Sequence, residues 1–215
     1  MFQFLSPDST FARWMSFGLD ALLIGIAWLV CALPVVTLGA STAALNRVAQ
    51  NWMRERSGCD LRHFFAAFRE NFKGATMVWL ILLVPLCLIG FNAYAAWIAA
   101  VELSGAVKWM IVVTALLWIA TAIYAFALQA LFENRPMRTV VNALRIAVSN
   151  LLMTIILIAL FAFAVFCFLV LPAGAFLYTP ACVFLSARPI WNILQKVMDM
   201  PGVIVADGMI EKEGE

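Results

Sequence analysis

Residues 151–187 read LLMTIILIALFAFAVFCFLVLPAGAFLYTPACVFLSA and contain no Asp, Glu, Lys or Arg. As one helix this stretch would be about 55 Å long, whereas about 20 apolar residues are enough to cross the hydrocarbon core of a bilayer. Leu171-Pro172-Ala173-Gly174 supplies a turn signal inside it. The stretch therefore predicts two membrane spans, near 151–171 and 173–191, joined by a tight turn.

The composition of the whole chain agrees with a membrane protein. Of the 215 residues, 65% are hydrophobic and 12% are charged, with a mean hydropathy of +0.98, so a soluble fold could not cover its surface with polar groups. Three further apolar stretches, near 20–40, 75–101 and 107–132, raise the number of predicted spans to five. We expect an all-α, polytopic helix bundle over residues 1–200, with a flexible cytoplasmic tail at 201–215.

The basic residues predict the orientation of the bundle. Twelve of the fourteen Lys and Arg residues lie between spans one and two, between spans three and four, or in the C-terminal part of the chain from Arg188 onward, and the other two are Arg13 and Lys108. The positive-inside rule places the twelve in the cytoplasm. The sequence then predicts a multi-pass protein of the bacterial plasma membrane, with the N-terminus outside and the C-terminus inside. The net charge of +2 gives no reason to expect a nucleic-acid partner.

Three of these cytoplasmic segments have helical amphipathic patterns. In residues 41–56 an apolar face opposes Asn46, Arg47 and Gln50, and residues 60–73 carry a row of Phe side chains opposite basic ones. The third segment follows Pro136, a residue that suits the first position of a helix. We expect these helices to lie in the interface with their arginines among anionic lipid headgroups. The alternative is a docking face for a cytoplasmic or membrane partner.

The sequence contains no recognisable catalytic or cofactor-binding motif. The single histidine, His63, has no cluster of acids or thiols nearby in sequence, and the five cysteines form no CxxC pair. Phosphate-loop, zinc-protease and nucleophile-elbow motifs are missing as well. We therefore expect no enzymatic activity, no cofactor and no metal.

Residues 31–45, CALPVVTLGASTAAL, interrupt the apolar pattern at the predicted cytoplasmic end of span one. Pro34 disfavours helical geometry at the preceding residue, and Gly39 permits an unusual turn. Ser41 or Thr42 can then cap the amphipathic helix that follows. The pattern predicts a span, a short non-helical hinge and a new helix that turns along the interface, while a ligand or partner contact at this corner is the minority hypothesis.

Two sequence blocks resemble the YesL-like family of bacterial integral membrane proteins. The family has an Asp, an apolar run and a Leu-Pro-x-x-Thr-x-Gly-Ala-Ser-Thr-x-Ala block, followed after a basic segment by Phe-Phe-x-x-Phe-x-x-Asn-Phe. Where the family often has Asn shortly after the Asp, this chain has Gly25. The matching positions are the candidate hinge or partner-contact residues: Asp20, Pro34, Thr37, Gly39, Ser41, Thr42, Phe64, Phe65, Phe68, Asn71 and Phe72.

The family's biochemical function is not established, but its members are commonly encoded beside carbohydrate uptake systems of the ABC type. The resemblance thus implies a non-enzymatic accessory or regulatory partner of carbohydrate uptake or utilisation. The expected partners are the lipid bilayer and either transporter subunits or a second copy of the chain. The alternative is a small membrane transporter or channel for a solute, which could be related to sugars, with its site at the broken segment around Pro34.

Overall fold

The structure is a computed structural model that describes residues 10–55, 60–97, 104–133, 135–171, 174–198 and 210–211. Within these residues the chain forms seven α-helices, one short 3-10 turn and one pair of two-residue strands. The elements are α1 (Thr10–Ala32), the 3-10 turn (Val35–Thr37), α2 (Leu38–Glu55), α3 (Leu61–Trp97), α4 (Gly105–Leu131), β1 (Phe132–Glu133), α5 (Pro136–Ser149), α6 (Leu151–Val170), α7 (Ala175–Met198) and β2 (Ile210–Glu211).

The helices confirm the all-α class and are compatible with a membrane protein. Three helices in the described part of the chain, α3, α4 and α6, are long and apolar enough to cross a membrane, while the apolar part of α1 is the shorter stretch Gly18–Ala32. α4 and α6 match the predicted spans near 107–132 and 151–171 to within two residues, and α5 begins at Pro136 as expected. Five spans and an N-terminus outside stay predictions.

α3 differs from expectation because it is a single helix of 37 residues. The amphipathic segment that begins near residue 60 and the predicted span at 75–101 are its two halves, and the helix continues through Gly74 and Pro85. Helical periodicity persists across both halves, so no local signal was strong enough to end the helix between them. The predicted fifth span also lengthens, since α7 extends to Met198 with Pro180 and Pro189 inside it.

The predicted break between α1 and α2 is present, and the two helices fold back on each other. Trp28 Nε1 lies 3.4 Å from Thr42 Oγ1 across the pair. Ile24 on α1 and Val48 on α2 belong to one buried cluster, which also includes Phe64 of α3. In both cases the two residues lie at similar distances along the chain from residue 35, one before it and one after it. α1 and α2 therefore form an antiparallel hairpin with its tip at residues 33–37.

α2 lies inside the bundle and is not a surface helix. It packs against α1, α3, α4 and α7, and both Asn46 and Gln50 are buried although the pattern placed them on a polar outer face. The expectation that this face lies among lipid headgroups is therefore wrong for these two residues. Amphipathic periodicity shows that a helix has two faces, but it does not show whether a second layer of protein covers the polar one.

Hydrogen bonds from side chains join the remaining helices. Trp118 Nε1 of α4 donates to Leu82 O of α3 over 2.8 Å, and Tyr124 of α4 shares a hydrogen bond of 3.2 Å with Thr154 of α6. β1 and β2 pair antiparallel, so Ile210–Glu211 of the predicted tail lies beside the end of α4, and the rest of 201–215 lies outside the described residues.

Candidate functional site

Three backbone carbonyls at the hairpin tip, those of Cys31, Pro34 and Val35, have hydrogen-bond donors within the protein. Thr37 Oγ1 lies 2.6 Å from Cys31 O and 2.8 Å from Pro34 O, and its proton can be donated to either. Thr37 N donates to Pro34 O over 2.9 Å. Val35 O accepts from the backbone N–H of Leu38 and, over 2.8 Å, from Nε1 of Trp79 on α3. The Pro and Thr of the first block thus build a break in which these three carbonyls are satisfied inside the protein.

Two of the roles expected at this corner are wrong. α2 begins at Leu38, so Ser41 and Thr42 lie within the helix and do not cap it. Their hydroxyls donate to Leu38 O over 3.1 Å and 2.7 Å, the bond that Ser and Thr commonly make to the preceding turn of a helix. Gly39 is likewise helical and is not a turn residue. Pro34 lies in extended geometry before the 3-10 turn, and its ring ends the regular helix earlier than the pattern alone showed.

Gly39 is instead needed where α2 comes closest to α3. A Cβ atom at position 39 would lie 2.6 Å from Ala75 O, which is backbone and cannot turn aside. Ala40, Ala43 and Ala75 form a small buried cluster at the same contact. Small residues allow two helix backbones to approach closely, which is the main source of packing energy between helices in lipid. The Gly-Ala-Ser-Thr-x-Ala part of the first block therefore forms a helix-packing surface.

The Phe residues of the second block have different surroundings on α3. Phe64 is completely buried against the α1–α2 hairpin, and Phe68 is partly buried beside the Ala40 cluster. Phe65 and Phe72 are exposed, with 52% and 38% of their surface accessible. Neighbouring rings of the four make edge or stacked contacts at centroid distances of 5.5–6.4 Å. Only half of the predicted Phe stripe is thus available to a partner.

The two remaining candidates are one buried amide and one carboxylate. Asn71 is buried, and its Nδ2 donates to Ala67 O over 2.9 Å, so it supports α3 from within. Asp20 belongs to α1, which is not among the three long apolar helices. Partial burial and, to a smaller extent, the Asp60 carboxylate raise the pKa of Asp20 above its usual range. Asp20 therefore lies near the start of α3 and far along α1 from the hairpin tip.

The two blocks that resemble the family are thus two sides of one contact, between α2 and α3. Residues 21–93 match a family described as a protein of unknown function, DUF624. This is the domain that the YesL-like family carries, and the matched region runs from α1 through the hairpin to the last turns of α3. No curated protein and no solved structure shows significant similarity to the chain. The match supports the resemblance to the YesL-like family at the level of this domain, and the family description assigns no activity.

Several polar groups are buried between the helices. Gln50 has 1% of its surface exposed, and neither its Nε2 nor its Oε1 has a hydrogen-bond partner. Gln129 of α4 accepts from Thr139 of α5 over 3.3 Å and packs against Gly74 of α3. Arg47 Nη1 donates to Ala130 O, in the last turn of α4. The pattern placed Arg47 and Gln50 on the polar face of residues 41–56, and the packing of α2 against its neighbours brings Gln50 inside.

A cavity of about 310 Å³ lies between α2, α4, α6 and α7. Its walls are mainly apolar, with Trp118 and Phe161 among them, and Asn46 and Ser186 are among its polar residues. Asn46 Nδ2 donates to Thr42 O, and Ser186 Oγ donates to Val183 O, so one donor of each side chain is already used within its own helix. Among the described residues, no group of three or more His, Cys, Asp and Glu side chains is placed to hold a metal ion.

Proposed function

We propose that this chain is a non-enzymatic integral membrane protein that acts as an accessory or regulatory partner of carbohydrate uptake by an ABC-type system. The observation that carries the partner role is the exposed, basic, Phe-bearing first half of α3. We call this surface the α3 face and define it by Arg62, Phe65, Arg69, Phe72 and Lys73, all of which are exposed.

The length of α3 supports a position of the α3 face outside the hydrocarbon core. Its 37 residues extend about 55 Å, compared with a core of about 30 Å. Exposed charges at Arg62, Arg69 and Lys73 would be costly in lipid, so the second half of α3 is the part that crosses. The distribution of basic residues predicts that the first half is in the cytoplasm.

The chemistry of the α3 face suits a protein partner. Phe68, Phe72, Arg69, Glu70 and Lys73 line a shallow groove, so apolar and charged groups are available side by side. Exposed aromatic side chains beside arginines are frequent among residues that dominate binding energy at interfaces. A partner segment with an apolar anchor and acidic flanks would complement the groove. The carbohydrate assignment rests on the family resemblance alone.

Affinity purification from native membranes tests this function. The double variant Phe65→Ala/Phe72→Ala should lose the enrichment of transporter subunits at least tenfold, because both side chains are exposed and available for docking. Phe91→Ala is the matched control, since Phe91 is an exposed residue in the second half of the same helix. If the wild-type protein enriches no transporter subunit over an unrelated membrane protein, the accessory role is wrong.

The cavity favours a second candidate function, a small transporter or channel. The hydroxyls of Thr37 and Ser41, which were expected to contact the solute, donate to backbone carbonyls, so the cavity is the better place for a solute. Solute flux in proteoliposomes that is lost in Asn46→Leu and retained in Asn92→Leu would support this candidate. Asn92 is exposed and bonds only within its own helix, to Leu88 O.

A further inference from the structure

The arms of the α1–α2 hairpin lie beside the charged half of α3. Ile24 and Val48, from the middle of the two arms, cluster with Phe64 in the first turn of α3. The tip reaches Trp79, whose Nε1 donates to Val35 O. From Trp79 to Trp97, α3 continues for about a further 27 Å. The hairpin therefore accompanies only the first half of the helix that crosses the membrane.

The exposed charges on α3 show how deep in the membrane the hairpin tip lies. Arg62, Arg69 and Lys73 exclude the accessible side of the first half of α3 from hydrocarbon. Lys73 lies about 9 Å along the helix before Trp79, so the tip lies only that far beyond the last charged residue. Interfacial elements typically insert about 5–10 Å into the headgroup and acyl boundary. This depth fits insertion into one leaflet and is too small for crossing.

The hairpin tip has the chemistry of a lipid-contacting segment. Leu33, Val35 and Val36 have 76%, 61% and 55% of their surfaces exposed, and the chain contains no charged residue from 21 to 46. In lipid, a non-helical backbone is tolerated only when its polar groups are satisfied within the protein. The Thr37 hydroxyl, Trp79 Nε1 and the backbone N–H groups of Thr37 and Leu38 supply such hydrogen bonds to Cys31 O, Pro34 O and Val35 O. Exposed apolar side chains beside these satisfied carbonyls suit the acyl boundary of a leaflet.

We propose that the α1–α2 hairpin inserts into one leaflet and returns to the side from which it entered, with Leu33, Val35 and Val36 in contact with acyl chains. The N-terminus then lies on the same side as the start of α3, in the cytoplasm. Four helices, α3, α4, α6 and α7, cross the membrane, and the C-terminus is also inside. This topology does not depend on the identity of any partner, and it replaces five spans with four spans and one half-inserted hairpin.

The distribution of basic residues supports this topology independently. With five spans, Arg13 and Lys108 are both outside; with the half-inserted hairpin, Arg13 is inside and thirteen of the fourteen Lys and Arg residues are cytoplasmic. Lys108, near the start of α4, is the single exception. A stronger asymmetry is what the positive-inside rule favours. The position of Asp20 near Asp60 agrees, since it brings the middle of α1 to the start of α3.

Cysteine labelling on intact cells and on inverted vesicles tests the topology. Gly18→Cys and Gly105→Cys, each in a background without native cysteines, introduce side chains into open space, and Glu70→Cys marks the α3 face. A membrane-impermeant maleimide should label positions 18 and 70 from the inside only and position 105 from the outside only. Labelling of position 18 together with position 105 from the outside would overturn the proposal in favour of five spans.

A split fluorescent-protein tag at the N-terminus repeats the measurement on the otherwise unchanged chain. Fluorescence should appear when the complementing fragment is expressed in the cytoplasm, and its absence, with a C-terminal tag that does fluoresce, would contradict the proposal. Val36→Cys tests the acyl contact and should resist the impermeant reagent from both sides. Disulfide-linked dimers through Val36→Cys would assign the tip to a second copy of the chain, and labelling from either side would assign it to water; both would refute lipid contact.

Discussion

α2 and α6 show opposite relations between polarity and burial. α2 carries Ser41, Asn46 and Gln50, and all three are buried. α6 consists almost entirely of apolar residues, and among its described side chains only Thr154 and Leu157 are buried. In water the apolar helix would form the core and the polar helix would cover it. In a bilayer the surroundings are as apolar as the helix, so small and polar residues gain more from helix contacts than apolar ones do.

Leu157→Ala should give the largest effect and would separate the two faces of α6. Leu157 is buried between α6 and α4, so truncation leaves a void that costs about 2–5 kcal/mol of unfolding free energy. Leu152→Ala, on the lipid-facing side of the same helix, should cost much less, since lipid can fill the space. Unfolding in mixed micelles, followed by tryptophan fluorescence, measures both. Equal losses would mean that α6 packs in a different orientation.

Gly39→Ala tests the close contact of α2 with α3. The added Cβ meets the backbone of Ala75, so the helices must separate, at about 1–3 kcal/mol. Gly90→Ala is the matched control, because a Cβ there has open space around it and Ala favours the helix by about 1 kcal/mol. The same unfolding measurement should therefore move in opposite directions for the two variants, and an unchanged Gly39→Ala protein would refute the packing argument.

Gln50→Met should stabilise the protein. Gln50 is buried with both polar atoms unpaired, and Met has a similar shape without the cost of desolvating an amide, about 1–3 kcal/mol. Gln129→Met is the control and should destabilise, because Gln129 accepts a hydrogen bond from Thr139. If Gln50→Met instead lowers the unfolding free energy, Gln50 binds a water or ligand in the folded protein, and the polar interior of α2 has a purpose beyond packing.

Trp79→Phe should have the smallest effect of the four. A smaller aromatic ring remains at this position, but the hydrogen bond to Val35 O is lost, which costs about 1 kcal/mol. The change should also loosen the hairpin tip, so hydrogen exchange at residues 33–38 should accelerate. Trp109→Phe, at a largely exposed tryptophan near the start of α4, should change neither quantity. No acceleration at the tip would show that Thr37 and Leu38 are sufficient to hold it.

The sequence predicted the ends of helices well where one periodicity continued. It predicted the roles of single residues less well where contacts between helices determine those roles. The ends of α4 and α6 and the break at Pro34 were predicted to within two residues, because span length and proline geometry are local properties. The roles of Gly39, Ser41 and Thr42 were wrong, because a glycine or hydroxyl near a helix start suits a turn, a cap or a close contact equally well. The pattern predicted the row of Phe side chains on α3, but it did not predict that Phe64 would pack against the α1–α2 hairpin.

The membrane class, the helical elements and the distribution of basic residues were determined by the sequence itself, since they depend on composition and local spacing. The tertiary structure decided that α2 is buried, that the blocks around Gly39 and Phe68 form one contact, and that Trp79 completes the hairpin tip. Val35 and Trp79 are 44 positions apart. Periodicity identifies the faces of a helix, but which neighbour satisfies a freed carbonyl depends on how the helices pack in three dimensions.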